Sequence, residues 1–91
     1  MPKQRVQAIY SGNVQGVGFR ATTAMLANDF QVVGSVRNRS DGTVEVIAEG
    51  DSTELDAFLE RIAEQLRHHI ESVDSRRSEA TGQFDDFRIT F

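Results

Sequence analysis

Cysteine is absent from this 91-residue chain, and with it go disulfide staples, thiolate zinc sites and any cysteine-phosphate intermediate. No stretch approaches the roughly 20 apolar residues of a membrane span, and the start, Met-Pro-Lys-Gln-Arg, has no apolar signal core. The expected location is therefore the cytoplasm, with no membrane partner. No linker, repeat or low-complexity segment interrupts the chain, and its length suits one domain, residues 1–91, with a two-layer core. A strongly basic character is missing too. The net charge is −4, with five Lys/Arg against four Asp/Glu in residues 1–50 and five against ten in residues 51–91. The first part is thus +1 and the second −5, which fits a local anion site and disfavours nucleic acid as a partner.

Hydrophobic residues make up 38% and charged residues 26%, the composition of a globular domain rather than a disordered one. Val6, Ala8 and Tyr10 alternate with Ile9 on the other side, which predicts an inner strand contacted on both faces. It runs into Gly12-Asn13-Val14-Gln15-Gly16-Val17-Gly18-Phe19-Arg20. From there Phe19, Thr23, Leu26, Ala27 and Phe30 mark one face of a helix, with Arg20 about 100° round from Phe19. Residues 32–40 and 43–50 flank Asp41-Gly42, a hairpin signal. A two-residue turn would mix charged and apolar residues on one face. A three-residue turn over Ser40, Asp41 and a left-handed Gly42 instead pairs Val36 with Val46, Arg37 with Glu45 and Asn38 with Val44, and is preferred.

Asp51 with Glu54 marks a second helix start, and Leu55, Phe58, Leu59, Ile62, Ala63 and Leu66 form its apolar stripe. Residues 70–80 and 87–91 read as strands. The order is that of a ferredoxin-like split βαβ sandwich, an α+β fold with two helices packed on one face of a four- to five-stranded, mainly antiparallel sheet. In that topology the first two strands run in the same direction, so the glycine loop, the start of the first helix and Asn38 share one edge. Phe19, Phe30, Phe58, Phe87 and Phe91 are expected in the core.

Three glycines and an arginine between a strand and a helix suit phosphate, because backbone N–H groups and a permanent cation can surround it. No Gly-Lys-Ser/Thr closes the loop, and its spacing is not Gly-x-Gly-x-x-Gly. On composition alone, a sharp strand-to-helix connection remains the plain alternative. Arg20 as a bare helix-start cation is locally unfavourable unless an anion answers it. Asn38 on its own reads equally as a turn-initiating residue.

The segment from Gly12 to Arg20 is similar to the first signature of the acylphosphatase family, and Gly34-Ser35-Val36-Arg37-Asn38-Arg39-Ser40-Asp41-Gly42-Thr43-Val44, continuing to Gly50, resembles the second. The resemblance spans essentially the whole chain. It implies hydrolysis of small-molecule acyl phosphates to a carboxylate and inorganic phosphate, with no cofactor or metal. Arg20 and Asn38 match the family's essential arginine and asparagine. The backbone N–H groups of Gln15, Gly16, Val17, Gly18 and Phe19 would then cradle the phosphoryl oxygens, Arg20 would pair with them in a fork, and Asn38 would hold the attacking water. A monomer is expected.

Ser35, where the family usually has an aromatic residue, and the proline-free stretch from His68 to Val73 depart from the pattern. The Ser35 departure is expected to loosen packing near Asn38 or alter contact with the acyl group. His68-His69 lack the i, i+4 spacing of a helical metal pair; Arg76-Arg77 and Asp85-Asp86 read as surface. A non-catalytic ferredoxin-like regulatory or anion-binding module is the alternative function. RNA binding ranks lower, since no strand carries the exposed-aromatic pattern it needs. A carbamoyl-phosphate role, as in the acylphosphatase-like domain of larger maturation proteins, ranks lower because no partner domain follows Phe91.

Overall fold

A computed structural model describes residues 3–91. The alternation from Val6 to Tyr10 becomes β1 (Lys3–Gly12), followed by α1 (Phe19–Ala27), β2 (Val33–Asn38), β3 (Val44–Asp51), α2 (Ser52–Gln65), β4 (Ile70–Glu79) and β5 (Phe87–Ile89). The five strands form one sheet in the order β4-β1-β3-β2-β5. Pairing is antiparallel except between β2 and β5, which run parallel. This is the ferredoxin-like α+β arrangement of two helices on one sheet face, closed by a mixed edge.

The β2–β3 register follows from the turn chemistry. Val36 faces Val46, Arg37 faces Glu45 and Asn38 faces Val44, because the turn holds three residues rather than two. Arg39 N–H donates to Thr43 O at 2.8 Å, Gly42 N–H donates to Arg39 O at 3.2 Å, and Gly42 takes φ of 90°.

Strand parity then sorts the two faces. Val6, Ala8 and Tyr10 of β1, Val36 of β2, and Val44, Val46 and Ala48 of β3 turn inward. They meet Phe19, Leu26 and Ala27 of α1 and Leu55, Phe58 and Ile62 of α2 in one buried cluster. The opposite face is covered by a polar network. Glu49, only 3% exposed, accepts from Arg5 Nη1 at 3.0 Å, from Thr81 N–H at 2.9 Å and hydroxyl at 2.8 Å, and from Gly82 N–H at 3.0 Å. Glu45 accepts from Gln7 Nε2 and Arg37 Nε, each at 2.8 Å. Hence β1 is contacted on both faces as its sequence suggests, but the second contact is ionic. Burial pushes both carboxyls up, and these donors override it: Glu45 lies below the usual range and Glu49 at about 2.

Several local expectations need correction. α1 stops at Ala27 because its bonds tighten from i−4 to i−3: Asn28, Asp29 and Phe30 N–H donate to Met25, Leu26 and Ala27 carbonyls at 3.2, 3.0 and 3.1 Å. The turn still delivers Phe30 to the core, 5.8 Å from the Phe58 ring. Asp51 precedes α2 without a side-chain capping bond, and Glu54 instead accepts from Gln31 N–H at 2.8 Å. Ala63 is exposed. The last strand ends at Ile89, and Phe91, expected in the core, is 96% exposed. No helix among the described residues is long and apolar enough to cross a membrane.

Candidate functional site

Both β1 and β2 run antiparallel to β3, so their C-terminal ends lie at one edge of the sheet. β5 runs parallel to β2 and ends there too. Parity places Asn38 on the helix-bearing face with Val36, and Arg37 and Ser35 on the other. The chain leaving β1 crosses this edge before entering α1. A cleft of about 210 Å³ results, lined by Val14, Gly16, Gly18, Phe19, Arg20 and Ala21 from the loop and helix start, by Asn38, and by Ile89 and Phe91. It is smaller than the roughly 300–1,000 Å³ typical of drug-sized ligands.

Gly16 and Gly18 both take φ of 79°, and Gly18, at ψ of 19°, stands in the cap position of α1 without a side-chain cap. These left-handed residues alternate with Val14, which is buried, and Val17, which packs against the core. The loop is thereby pinned on its apolar side. The first bond of α1 runs from Thr22 N–H to Gly18 O at 2.9 Å, so the N–H groups of Phe19, Arg20 and Ala21 have no acceptor within the helix. The first turn holds no acidic residue, which leaves the positive end of the helix uncompensated.

Arg20 adds a full charge at that end. It is half-buried, and among the described residues no carboxylate pairs with it. Its guanidinium carbon lies 4.9 Å from the centre of the Phe91 ring, a cation–π contact that leaves the N–H edge of the plane available. Uncompensated backbone donors, an unpaired guanidinium and a half-buried amide in one small cleft suit a small, compact anion.

Of the residues singled out in the sequence, Gly16, Gly18, Phe19, Arg20 and Asn38 line the cleft together. The side chains of Gln15 and Val17 do not. Gln15 turns toward the β2–β3 turn, where its Nε2 donates to Arg39 O at 2.8 Å and Thr43 O at 2.9 Å. His68 and His69 follow α2, where His69 N–H donates to Leu66 O at 2.9 Å, and neither lines the cleft. Ser35 lies on the other sheet face, against Ile47 and Arg88, so contact with an acyl group in this cleft is not available to it. Ile89 and Phe91 were missed as lining residues. Their signal is the Phe87-Ile89-Phe91 alternation, which keeps all three on the helix side while the strand exits at the cleft.

An acylphosphatase family model matches residues 6–89. A protein named acylphosphatase from Paenarthrobacter aurescens (strain TC1) is 44% identical over 86 residues, covering 93% of this chain and 92% of its own. Among solved structures, acylphosphatase from Bacillus subtilis superposes with a TM-score of 0.86 at 30% identity, covering 97% of this chain and 99% of that one. Full-length HypF in its phosphate- and nucleotide-bound form superposes with a TM-score of 0.83 at 28% identity; all of this chain matches 12% of that protein.

Proposed function

This chain belongs to the acylphosphatase family of enzymes, which hydrolyse acyl phosphates, and from that premise we propose that the loop and Arg20 bind the phosphoryl group while Asn38 holds the attacking water. The observation that carries the assignment is the shared cleft of Arg20, the Gly16–Gly18 loop and Asn38. In this mechanism the N–H groups of residues 15–19 and the Arg20 fork engage the phosphoryl oxygens. The Asn38 amide oxygen accepts from a water aligned with phosphorus opposite the leaving oxygen. The O–P bond to water forms as the P–O bond to the carboxylate breaks, and both water protons end on inorganic phosphate.

Few groups suffice because the leaving carboxylate has a conjugate acid of pKa about 4 to 5, like the reference side-chain carboxyls, and departs without a general acid. Catalysis reduces to holding the water and phosphoryl group in line and stabilising charge on the phosphoryl oxygens. No metal or cofactor is required by this chemistry. We assign residues 1–91 to one acylphosphatase-like unit, working as a monomer in the cytoplasm.

The test is hydrolysis of acetyl and benzoyl phosphate in excess chelator by the parent, Arg20→Ala and Asn38→Ala. The parent keeps its rate in chelator; a loss there overturns the metal-free mechanism. Arg20→Ala loses turnover and phosphate inhibition, and undiminished turnover in the folded variant sinks the phosphate assignment. Asn38→Ala keeps substrate affinity and loses turnover; mainly weakened affinity would make Asn38 a phosphate ligand instead.

A further inference from the structure

Gln15 sits inside the phosphate loop, yet its side chain leaves the cleft and reaches the turn that follows Asn38. We propose that Gln15 is a positioning residue that fixes the distance between the phosphoryl-binding loop and the Asn38 strand, and so sets turnover rather than phosphate affinity. The proposal rests on the reading of Asn38 as water-holder.

The donor count supports it. A carboxamide offers two N–H donors on one nitrogen, and both are used: Nε2 donates to Arg39 O at 2.8 Å and to Thr43 O at 2.9 Å. Those carbonyls belong to the two residues that close the three-residue turn. Each already accepts one bond from within it, Arg39 O from Gly42 N–H and Thr43 O from Arg39 N–H. Gln15 takes the second lone pair of each, so one side chain grips both ends of the turn.

The turn does not need Gln15 in order to fold. Besides its two backbone bonds, Asp41 Oδ1 accepts from Thr43 N–H at 3.1 Å and from the Thr43 hydroxyl at 2.6 Å. What Gln15 adds is a polar link across 24 and 28 residues of sequence between the glycine loop and the turn that follows Asn38. Arg39 directly follows Asn38, so a shift of its carbonyl carries the Asn38 side chain with it. On the other side, Gln15 precedes Gly16, where the loop enters its left-handed conformation. Phosphate binding draws on the loop and Arg20, which stay together when the link is cut. In-line attack draws on both the loop and Asn38, and a misplacement of about 1 Å in such geometry costs on the order of 100-fold in rate.

The experiment compares the parent with Gln15→Leu, Gln15→Glu and Asn38→Ala, measuring kcat on benzoyl phosphate, the inhibition constant of inorganic phosphate, and the thermal midpoint. Gln15→Glu keeps the shape of the side chain and removes both donors. Both Gln15 variants are expected to lose roughly 10- to 100-fold in kcat, with the phosphate inhibition constant kept within about twofold, on the scale of half a kcal/mol. An unchanged kcat in a folded Gln15 variant beside an inactive Asn38→Ala overturns the positioning role alone. A phosphate constant that weakens in step with kcat also overturns it, making Gln15 a shaper of the phosphate loop. Unfolding of both Gln15 variants overturns it as well, because the two bonds would then hold the fold rather than the site. An Asn38→Ala enzyme with full turnover removes the water-holding reading on which the proposal stands.

Discussion

Replacing Arg20 by lysine keeps the charge at the helix start and removes the planar fork. In the proposed complex the guanidinium makes two charge-assisted bonds to phosphoryl oxygens, each worth about 1.5–3 kcal/mol. Lysine, a point charge, retains one of them. It also forfeits the planar contact with the Phe91 ring, now 4.9 Å from the guanidinium carbon, which at an exposed position is worth about 0.5–1 kcal/mol. No carboxylate among the described residues pairs with Arg20, so no compensating ion pair is lost or gained. The sum is about 2–4 kcal/mol, or roughly 30- to 1,000-fold in kcat/KM. Benzoyl phosphate hydrolysis at fixed ionic strength measures it, with the thermal midpoint as a control for folding. Arg20→Lys within about threefold of the parent, beside a severely impaired Arg20→Ala, refutes the fork and leaves charge alone as the contribution.

Two further outcomes follow from other parts of the molecule. The Glu49 carboxyl, pushed up by burial but held at about 2 against an ordinary 4.5 by its Thr81, Gly82 and Arg5 donors, stabilises the fold above about pH 5 and loses that contribution as pH falls toward 2. The gap in urea midpoint between the parent and Glu49→Gln, worth up to about 3 kcal/mol at neutral pH, should close over that window; a gap constant from pH 7 to 2 rules the network out as the acid-sensitive element. Phe91→Ala should leave the thermal midpoint unchanged, since the ring is exposed, and lower kcat/KM about 2- to 6-fold. An unchanged kcat/KM would show that the ring does not steady Arg20.

The elements that sequence made legible are those governed by short-range chemistry. Gly42 dictated a three-residue turn, the turn dictated the register, and the register put Asn38 on the helix face beside Arg20. Long-range partners were less visible. Gln15 reads as one more polar loop residue until the hairpin is folded beside it, because its partners are backbone carbonyls that carry no side-chain signature. Glu45 and Glu49 look like solvent-facing strand residues by alternation; Glu49 is buried where the segment around Thr81 and Gly82 folds back onto it, and Glu45 lies beneath the Gln7 and Arg37 side chains that bond it. The Phe87-Ile89-Phe91 alternation was correct about the side of the sheet and wrong about its end, since the strand expected over residues 87–91 stops at Ile89 and leaves Phe91 exposed.

The two sheet faces therefore divide the molecule's tasks. On one, apolar packing holds the helices and delivers Arg20 and Asn38 to a common edge; on the other, Arg5 and Arg37 neutralise two buried carboxylates, with Gln7 adding a hydrogen bond. Those two cations are spent inside the fold, whereas Arg20 has no carboxylate partner among the described residues where the cleft opens. A half-chain charge of +1 pointed only weakly to an anion site. The pairing pattern sharpens it, because removing the arginines engaged by Glu45 and Glu49 from the count leaves Lys3, Arg20 and Arg39, and of these three it is Arg20 that lines the cleft. Substitutions on the ionic face should consequently be felt as stability and those at the cleft edge as turnover.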